Sequence, residues 1–160
     1  ARPTRARRAW WWAAAPALVA AAVAIVVIGR RDAGPERASV ALAVQVVGGP
    51  GADRDRVGGR RVVPVGSTVR IAVSGHGAER ALWVYRAERE LVLVCPGAAQ
   101  CQRTDDGLAA ELTFDLVGEY QVVALSSRTA IPRPDGDRDR DHVRAERAGA
   151  ATRFDDIDVR

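Results

Sequence analysis

The feature that most constrains this chain is an uncharged, apolar run of 21 residues at positions 9–29. A helix rises about 1.5 Å per residue, so a run of this length matches the roughly 30 Å hydrocarbon core of a bilayer. The run has no polar face, which disfavours a buried core helix in a globular protein. The sequence therefore predicts a transmembrane helix at residues 9–29.

The residues at both ends of the run are typical of a membrane anchor. Trp10, Trp11 and Trp12 lie where the headgroup region would be. There an indole ring can stay in apolar surroundings while its N–H remains near water. Arg30 and Arg31 follow the run at its other end. We predict that these five side chains hold the helix in the bilayer.

The orientation of the anchor follows from the arginines that flank it. Four arginines precede the run and three follow it closely, and this bias favours a cytoplasmic N-terminus. We therefore expect the protein in the inner (cytoplasmic) membrane, with its C-terminal part in the periplasm. The expected parts are a cytoplasmic basic tail at 1–8, the transmembrane helix at 9–29, a linker at 30–39 and an extracytoplasmic domain at 40–160.

A cleaved signal peptide is the alternative to an anchor. Arg7 and Arg8 precede the apolar run, as basic residues do in signal peptides. The run is long for a signal sequence, however, and Val27, Ile28 and Gly29 make a poor cleavage site. Because the chain has no methionine, we expect that it begins inside a longer protein or after processing.

The formal net charge of +4 is unevenly distributed along the chain. Residues 1–31 carry six arginines and no acid, which leaves 18 arginines against 20 acidic residues in the remainder. A nucleic-acid-binding domain needs a basic surface that neutralises phosphates, whereas the domain expected here is slightly acidic. The charge distribution therefore excludes nucleic acid as the expected partner.

Residues 40–160 have the period-two alternation of β-strands. One example is 68–74, where Val69, Ile71 and Val73 alternate with the polar Arg70. Glycine-rich turns separate the segments, and their spacing is typical of an all-β sandwich. The predicted strands are 40–47, 61–65, 68–74, 81–86, 90–95, 108–115, 119–126 and 152–159.

The fold class predicted from this pattern is mainly β. We expect seven or eight strands in an Ig-like antiparallel β-sandwich. Gly118 and Tyr120 resemble the turn and tyrosine that begin a late strand in such sandwiches, where the hydroxyl bonds a nearby backbone group.

One segment near the C-terminus breaks the strand pattern. Residues 137–148 have Val143 as their single large apolar side chain, with Ala145 and Ala148 placed for one helical face. This predicts a short, exposed helix that ends at Gly149. The strand at 152–159 would then return the C-terminus to the sheet.

Cys95 and Cys101 are the two cysteines of the chain, six positions apart around a proline and a glycine. A turn could bring them together, and in an oxidising compartment they would form a small-loop disulfide. Free thiols, or a metal or redox role, are the alternatives.

No catalytic, metal or cofactor site is predicted. The repeated aspartates from Asp135 to Asp141 resemble a calcium loop, but Arg140 stands where the sharp turn needs glycine. His76 and His142 are not part of a nucleophile motif, and with the cysteines they lack the spacing of a zinc site. We therefore expect a protein that is not an enzyme.

Trp83 and Tyr85 fall on one face of the predicted strand 81–86, with Leu82 and Val84 on the other. One of the two faces must belong to the core. We interpret Trp83 and Tyr85 as core residues, with an exposed aromatic surface for glycan or peptide as the alternative.

The segments RRAWWW, PVGSTVRIAVSG, ALWVYRAERELVLVCP and GEYQVVALSS, together with the apolar run, resemble membrane-anchored anti-sigma-factor-like proteins of high-GC Gram-negative bacteria. Members of that class usually begin with a cytoplasmic zinc-binding helical module that holds a sigma factor. No histidine or Cys-x-x-Cys pair precedes Arg8. The resemblance implies an extracytoplasmic sensory or interaction domain coupled through the helix to a sigma factor or another cytoplasmic partner. An envelope module that binds glycan or peptide is the alternative function.

Overall fold

The structure is a computed structural model that describes residues 38–50, 56–57 and 60–160. The predicted basic tail, the predicted membrane helix and the linker as far as residue 37 lie outside the described residues, as do Trp10, Trp11, Trp12, Arg30 and Arg31. Within the described part, no helix has both the length and the apolar character that a membrane crossing requires.

The described part is mainly β, with ten strands and one helix, and residues Ala38–Arg160 form a compact unit. The elements are β1 (Ser39–Gly48), β2 (Arg56–Val57), β3 (Arg60–Val63), β4 (Thr68–His76), β5 (Glu79–Arg86), β6 (Glu90–Cys95), β7 (Cys101–Thr104), β8 (Gly107–Thr113), β9 (Gly118–Ser127), α1 (Arg138–Arg147) and β10 (Ala151–Val159). All eight predicted strands are present. The short strands β2 and β7 were not predicted.

The strands form two sheets. The four-stranded sheet has the order β1-β4-β8-β7 and is antiparallel throughout. The six-stranded sheet has the order β2-β3-β10-β9-β5-β6. Its pair β3–β10 is parallel, so this sheet is mixed and the prediction of a purely antiparallel architecture was wrong there. The parallel pair arises because the C-terminal strand inserts between β3 and β9.

The first core lies between the two sheets. Val69, Ile71 and Val73 of β4 point into it, as their alternation with Arg70 predicted. Leu82 and Val84 of β5 contribute from the six-stranded sheet. Each of these five side chains is at most 1% exposed.

A second core covers the outer face of the six-stranded sheet. Trp83 and Tyr85 of β5 lie there with Val123 and Leu125 of β9, and Ala145 of α1 packs on them. Both faces of β5 are therefore buried. This explains why the segment 81–85 contains no charged residue, in contrast to β4.

Helix α1 begins and ends close to its predicted limits. The Asp137 side chain caps its N-terminus by accepting a 3.1 Å hydrogen bond from the backbone N–H of Arg140. Gly149, with a φ of +81°, follows its C-terminus. The prediction of an exposed helix was only partly correct, because Asp141 and Ala145 are buried against the sheet while Val143 is 45% exposed.

Tyr120 holds the start of β9. Its hydroxyl donates a 3.0 Å hydrogen bond to the backbone carbonyl of Leu116, four residues upstream. Its ring packs on Phe114, with the ring centroids 4.6 Å apart. The predicted role of this tyrosine in bonding a nearby backbone group is confirmed.

Candidate functional site

Trp83 and Tyr85 are not a ligand surface. The two side chains are 1% and 0% exposed, respectively, and lie in the second core. The alternative of an exposed aromatic patch at these residues was therefore wrong, and their interpretation as core residues is confirmed. They pack on the outer face of the sheet, however, and not between the sheets.

Asp141 forms the polar centre of this second core. Its carboxylate accepts a 2.9 Å hydrogen bond from the Tyr85 hydroxyl and bonds of 3.0 and 3.1 Å from the backbone N–H groups of Asp135 and Gly136. It also forms an ion pair with Arg144. A carboxylate that is 1% exposed needs such donors, because an unpaired buried charge is costly. Asp141 thus ties α1 and the segment before it to β5.

The phenol of Tyr85 stays protonated in this environment. Burial raises its pKa far above the usual range, and the hydrogen bond to Asp141 raises it further. The Tyr85 hydroxyl already donates its proton in a hydrogen bond to the Asp141 carboxylate. The pair therefore serves as an anchor between sheet and helix.

The aspartates that resemble a calcium loop act on the backbone and on arginines. Asp137 caps α1, and Asp135 accepts a 3.1 Å bond from the backbone N–H of Asp137 and pairs with Arg144 at 3.0 Å. The bond from Asp137 is the main reason why the pKa of Asp135 is lowered. Among residues 38–50, 56–57 and 60–160, no group of three or more His, Cys, Asp or Glu side chains is placed to hold a metal ion.

Cys95 and Cys101 form a disulfide, as predicted. Cys95 is the last residue of β6 in the six-stranded sheet, and Cys101 is the first residue of β7 in the four-stranded sheet. The bond therefore links the two sheets directly. Cys95 is fully buried in the first core.

The two histidines lie in different layers of the fold. His76 is exposed at the end of β4, whereas His142 lies on α1 with its ring edge-to-face against Tyr85. Burial lowers the pKa of His142, and the nearby charge of Arg138 lowers it further. His142 also lines an opening on this face of the protein.

That opening is a groove of about 690 Å³ on the outer face of the six-stranded sheet, beside the second core. Strands β9 and β10 form its floor through Gln121, Phe154 and Asp156. The N-terminal half of α1 forms one wall, and the turn between β5 and β6 (Ala87, Glu88 and Arg89) continues it. We call this opening the β10 groove.

Phe154 is the exposed aromatic side chain of the β10 groove. It is 61% exposed and lies opposite Val123 on the neighbouring strand. Its neighbour on the same face, Asp156, accepts a 3.0 Å hydrogen bond from the Gln121 amide. The carbonyl oxygen of that amide is buried and has no partner among the described residues. The floor thus presents an apolar ring beside a carboxylate.

The β10 groove is acidic. Its lining carries five carboxylates and three arginines. Arg60 pairs with Glu119 at 2.6 Å, Arg138 pairs with its neighbour Asp139 at 3.1 Å, and Arg160 pairs with Asp158 at 2.5 Å. Asp156 accepts its bond from the uncharged Gln121 amide. The excess of carboxylates favours a ligand with positive charge.

Sequence reasoning predicted the last strand at 152–159 but did not separate its two faces, so it missed this groove. The period of a strand places Phe154 on the opposite face from Ile157 and Val159. Ile157 and Val159 are 1% exposed in the first core, and Phe154 faces outwards with Asp156 and Asp158. The alternation in FDDIDV was the available signal.

Comparisons with family profiles, with curated proteins and with solved structures found no match to this chain.

Proposed function

We propose that this chain is a non-enzymatic, single-pass membrane protein whose extracytoplasmic part is a sensory or protein-interaction domain, the outer part of an anti-sigma-factor-like regulator. The apolar run 9–29, separate in sequence from the compact β unit, supports the anchor. The disulfide supports a periplasmic domain, because disulfides persist in oxidising compartments. Two sheets that share a core, and the bond from Tyr120 to Leu116, support an Ig-like β-sandwich.

The β10 groove is the ligand surface in this proposal. The observation that carries it is Phe154, which is 61% exposed in a concave site. The side chains around it include Asp156, Gln121 and His142. An apolar ring with a few convergent polar groups is the usual composition of a binding site.

The ligand is a basic segment of a protein or peptide. A lysine or arginine side chain over the ring of Phe154 would gain a cation–π contact. The carboxylate of Asp156 would neutralise its charge. Because charge drives this recognition, binding weakens as the salt concentration rises.

A titration of the full chain with a short arginine-containing peptide tests this function. We expect saturable binding that Phe154→Ala weakens about threefold to tenfold. The matched control is Leu116→Ala, which removes a 54% exposed apolar side chain outside the groove and should leave the affinity unchanged. Equal affinity of the Phe154→Ala variant and the wild type would remove the groove from the proposal.

Recognition of an envelope glycan is the second candidate, and the same ring favours it. A sugar can stack on an exposed aromatic side chain while carboxylates accept bonds from its hydroxyl groups. A neutral oligosaccharide would bind with little dependence on salt, unlike a basic peptide. Titrations with both probes at low and high salt therefore separate the two functions.

Membrane topology and coupling to a cytoplasmic partner need their own test. A reporter that is active only in the periplasm, fused after Arg160, should be active in cells. An expressed but inactive fusion would contradict the proposed orientation.

The sequence that precedes residue 1 in the full gene product tests the proposed regulatory role. A zinc-binding helical module there would support control of a sigma factor.

A further inference from the structure

The sheets of the described part have four edge strands, and three of them are protected against pairing with another chain. β2 is two residues long, and β7 is four residues long and carries the exposed Arg103. β6 carries the exposed Glu90, and its last residue, Cys95, is fixed by the disulfide. Short length and charged side chains are common devices that stop edge-to-edge association of sheets.

The fourth edge strand, β1, has none of these devices. It is ten residues long, with the sequence SVALAVQVVG, and contains no charged residue and no proline. Its pairing with β4 is regular from Ser39 to Val46, and the one irregularity lies at its end, before Gly48. Within the described residues, β4 is the only strand that pairs with it. A long, regular and uncharged edge is a template for another strand.

At the β1 edge, the side chains of the first core remain partly exposed to solvent. Val40, Leu42, Val44 and Val46 point inwards from β1 and pack against the core, yet each remains partly exposed. Their counterparts on the next strand, Val69, Ile71 and Val73, are at most 1% exposed. One more strand beside β1 would bury the row from Val40 to Val46.

We propose that β1 of a second copy of this chain occupies this edge, in an antiparallel pair with a two-fold axis through Ala43. Residues that face each other across a pair must point to the same side of the sheet. With Ala43 opposite its own copy, Leu42 lies opposite Val44 and Val40 lies opposite Val46. The inner row is then entirely apolar on both strands.

The outer face of the pair is equally compatible with a second copy. In this register Gln45 lies opposite Ala41, and Ser39 lies opposite Val47. No charged side chain meets another, and no side chain larger than glutamine is present on this face of β1. The edge can therefore pair with its own copy without charge repulsion or steric conflict, and the two four-stranded sheets join into one continuous sheet.

Sedimentation equilibrium of the full chain in density-matched detergent tests the dimer. Ala43 is exposed, so Ala43→Lys should leave the fold intact while it places two like charges opposite each other at the two-fold axis. We expect a dimeric wild type and a dissociation constant at least about tenfold higher for Ala43→Lys. Because opposite charges would then face each other, mixing the Ala43→Lys and Ala43→Glu variants should restore the dimer.

The matched control is Gln102→Lys. Gln102 is exposed on β7, at the other edge of the same sheet. It lies level with Ala43 across the sheet, because Ala43 pairs with Ala72, Ala72 with Ala109, and Ala109 with Gln102. This variant should dimerise like the wild type. A monomeric wild type, or a dimer that Ala43→Lys and the charge-matched mixture leave unchanged, would overturn the proposal. An extended peptide that binds a monomeric wild type through β1 would do the same and would identify a different occupant. The β10 groove plays no part in these outcomes.

Discussion

The hydroxyl of Tyr85 on β5 donates a 2.9 Å hydrogen bond to the carboxylate of Asp141 on α1, and both residues are buried. This bond joins a strand to a helix that lies 56 residues later in the chain. It is the polar centre of the second core, and through that core it positions the wall of the β10 groove.

Replacing Tyr85 with phenylalanine should destabilise the protein by about 1–3 kcal/mol, because a buried carboxylate then loses a hydrogen-bond donor. Urea denaturation of the full chain measures the change. Tyr120→Phe is the matched control, since its hydroxyl bonds a neutral carbonyl of Leu116. That variant should lose only about 1 kcal/mol. A Tyr85→Phe variant as stable as the wild type would show that the bond does not hold α1 on the sheet.

Removing the helix cap should have a smaller, local effect. Asp137→Ala leaves the backbone N–H of Arg140 without its side-chain acceptor, which should cost about 1 kcal/mol of unfolding free energy. Asp139→Ala, two residues later, removes an exposed ion pair with Arg138 and should cost at most about half as much. Equal losses for both variants would argue against a specific capping role for Asp137.

The disulfide should stabilise the fold modestly. Replacing Cys95 and Cys101 together with alanine opens a short loop without placing a hydroxyl in the first core, and the loop-entropy relation gives a loss of about 2 kcal/mol. Denaturation of the double variant and of the wild type under non-reducing conditions measures this difference. Reducing agent should then destabilise the wild type but not the double variant, which has no disulfide to reduce. An equal effect of reducing agent on both proteins would show that the disulfide does not cause the difference in stability.

His142 should make stability depend on pH. Its folded-state pKa lies below its ordinary value near 6.5, chiefly because the ring is partly buried. As the pH falls through that ordinary value, the unfolded chain binds a proton before the folded chain does, so the unfolding free energy decreases. Above about pH 8 the ring is neutral in both states, and the contribution is constant.

Urea denaturation at pH 8 and pH 5.5 measures this dependence. His142→Gln should lose less stability between the two values than the wild type. His76→Gln, which changes an exposed residue at the end of β4, should retain the wild-type dependence. A wild-type dependence in His142→Gln would assign the effect to other groups.

Local patterns predicted much of the β domain. The alternation of Val69, Ile71 and Val73 identified β4 and its buried face. The spacing of Cys95 and Cys101 indicated the disulfide, and Gly118 with Tyr120 indicated the turn before β9. Each of these features is determined by residues that are close together in the chain, so a local sequence pattern was enough to predict it.

The rest depends on contacts between distant segments. β7 has too few residues to show a period, and the parallel pairing of β3 with β10 joins strands almost a hundred positions apart. The β10 groove exists because the pairing of β9 with β10 places Gln121 opposite Asp156. No local pattern specifies that register. One non-local feature was visible in the sequence. Residues 81–85 are all apolar or aromatic, which indicates that both faces of β5 are buried.

The most direct test of the ligand surface is a titration of the isotope-labelled full chain with the arginine-containing peptide, followed by NMR. The groove predicts shifts of the amide resonances of Phe154, Asp156, Gln121 and His142, with β4 and β8 unchanged. Higher salt should reduce the fraction shifted at a fixed peptide concentration. Shifts confined to the four-stranded sheet, or none at saturating peptide, would contradict the β10 groove as the binding site.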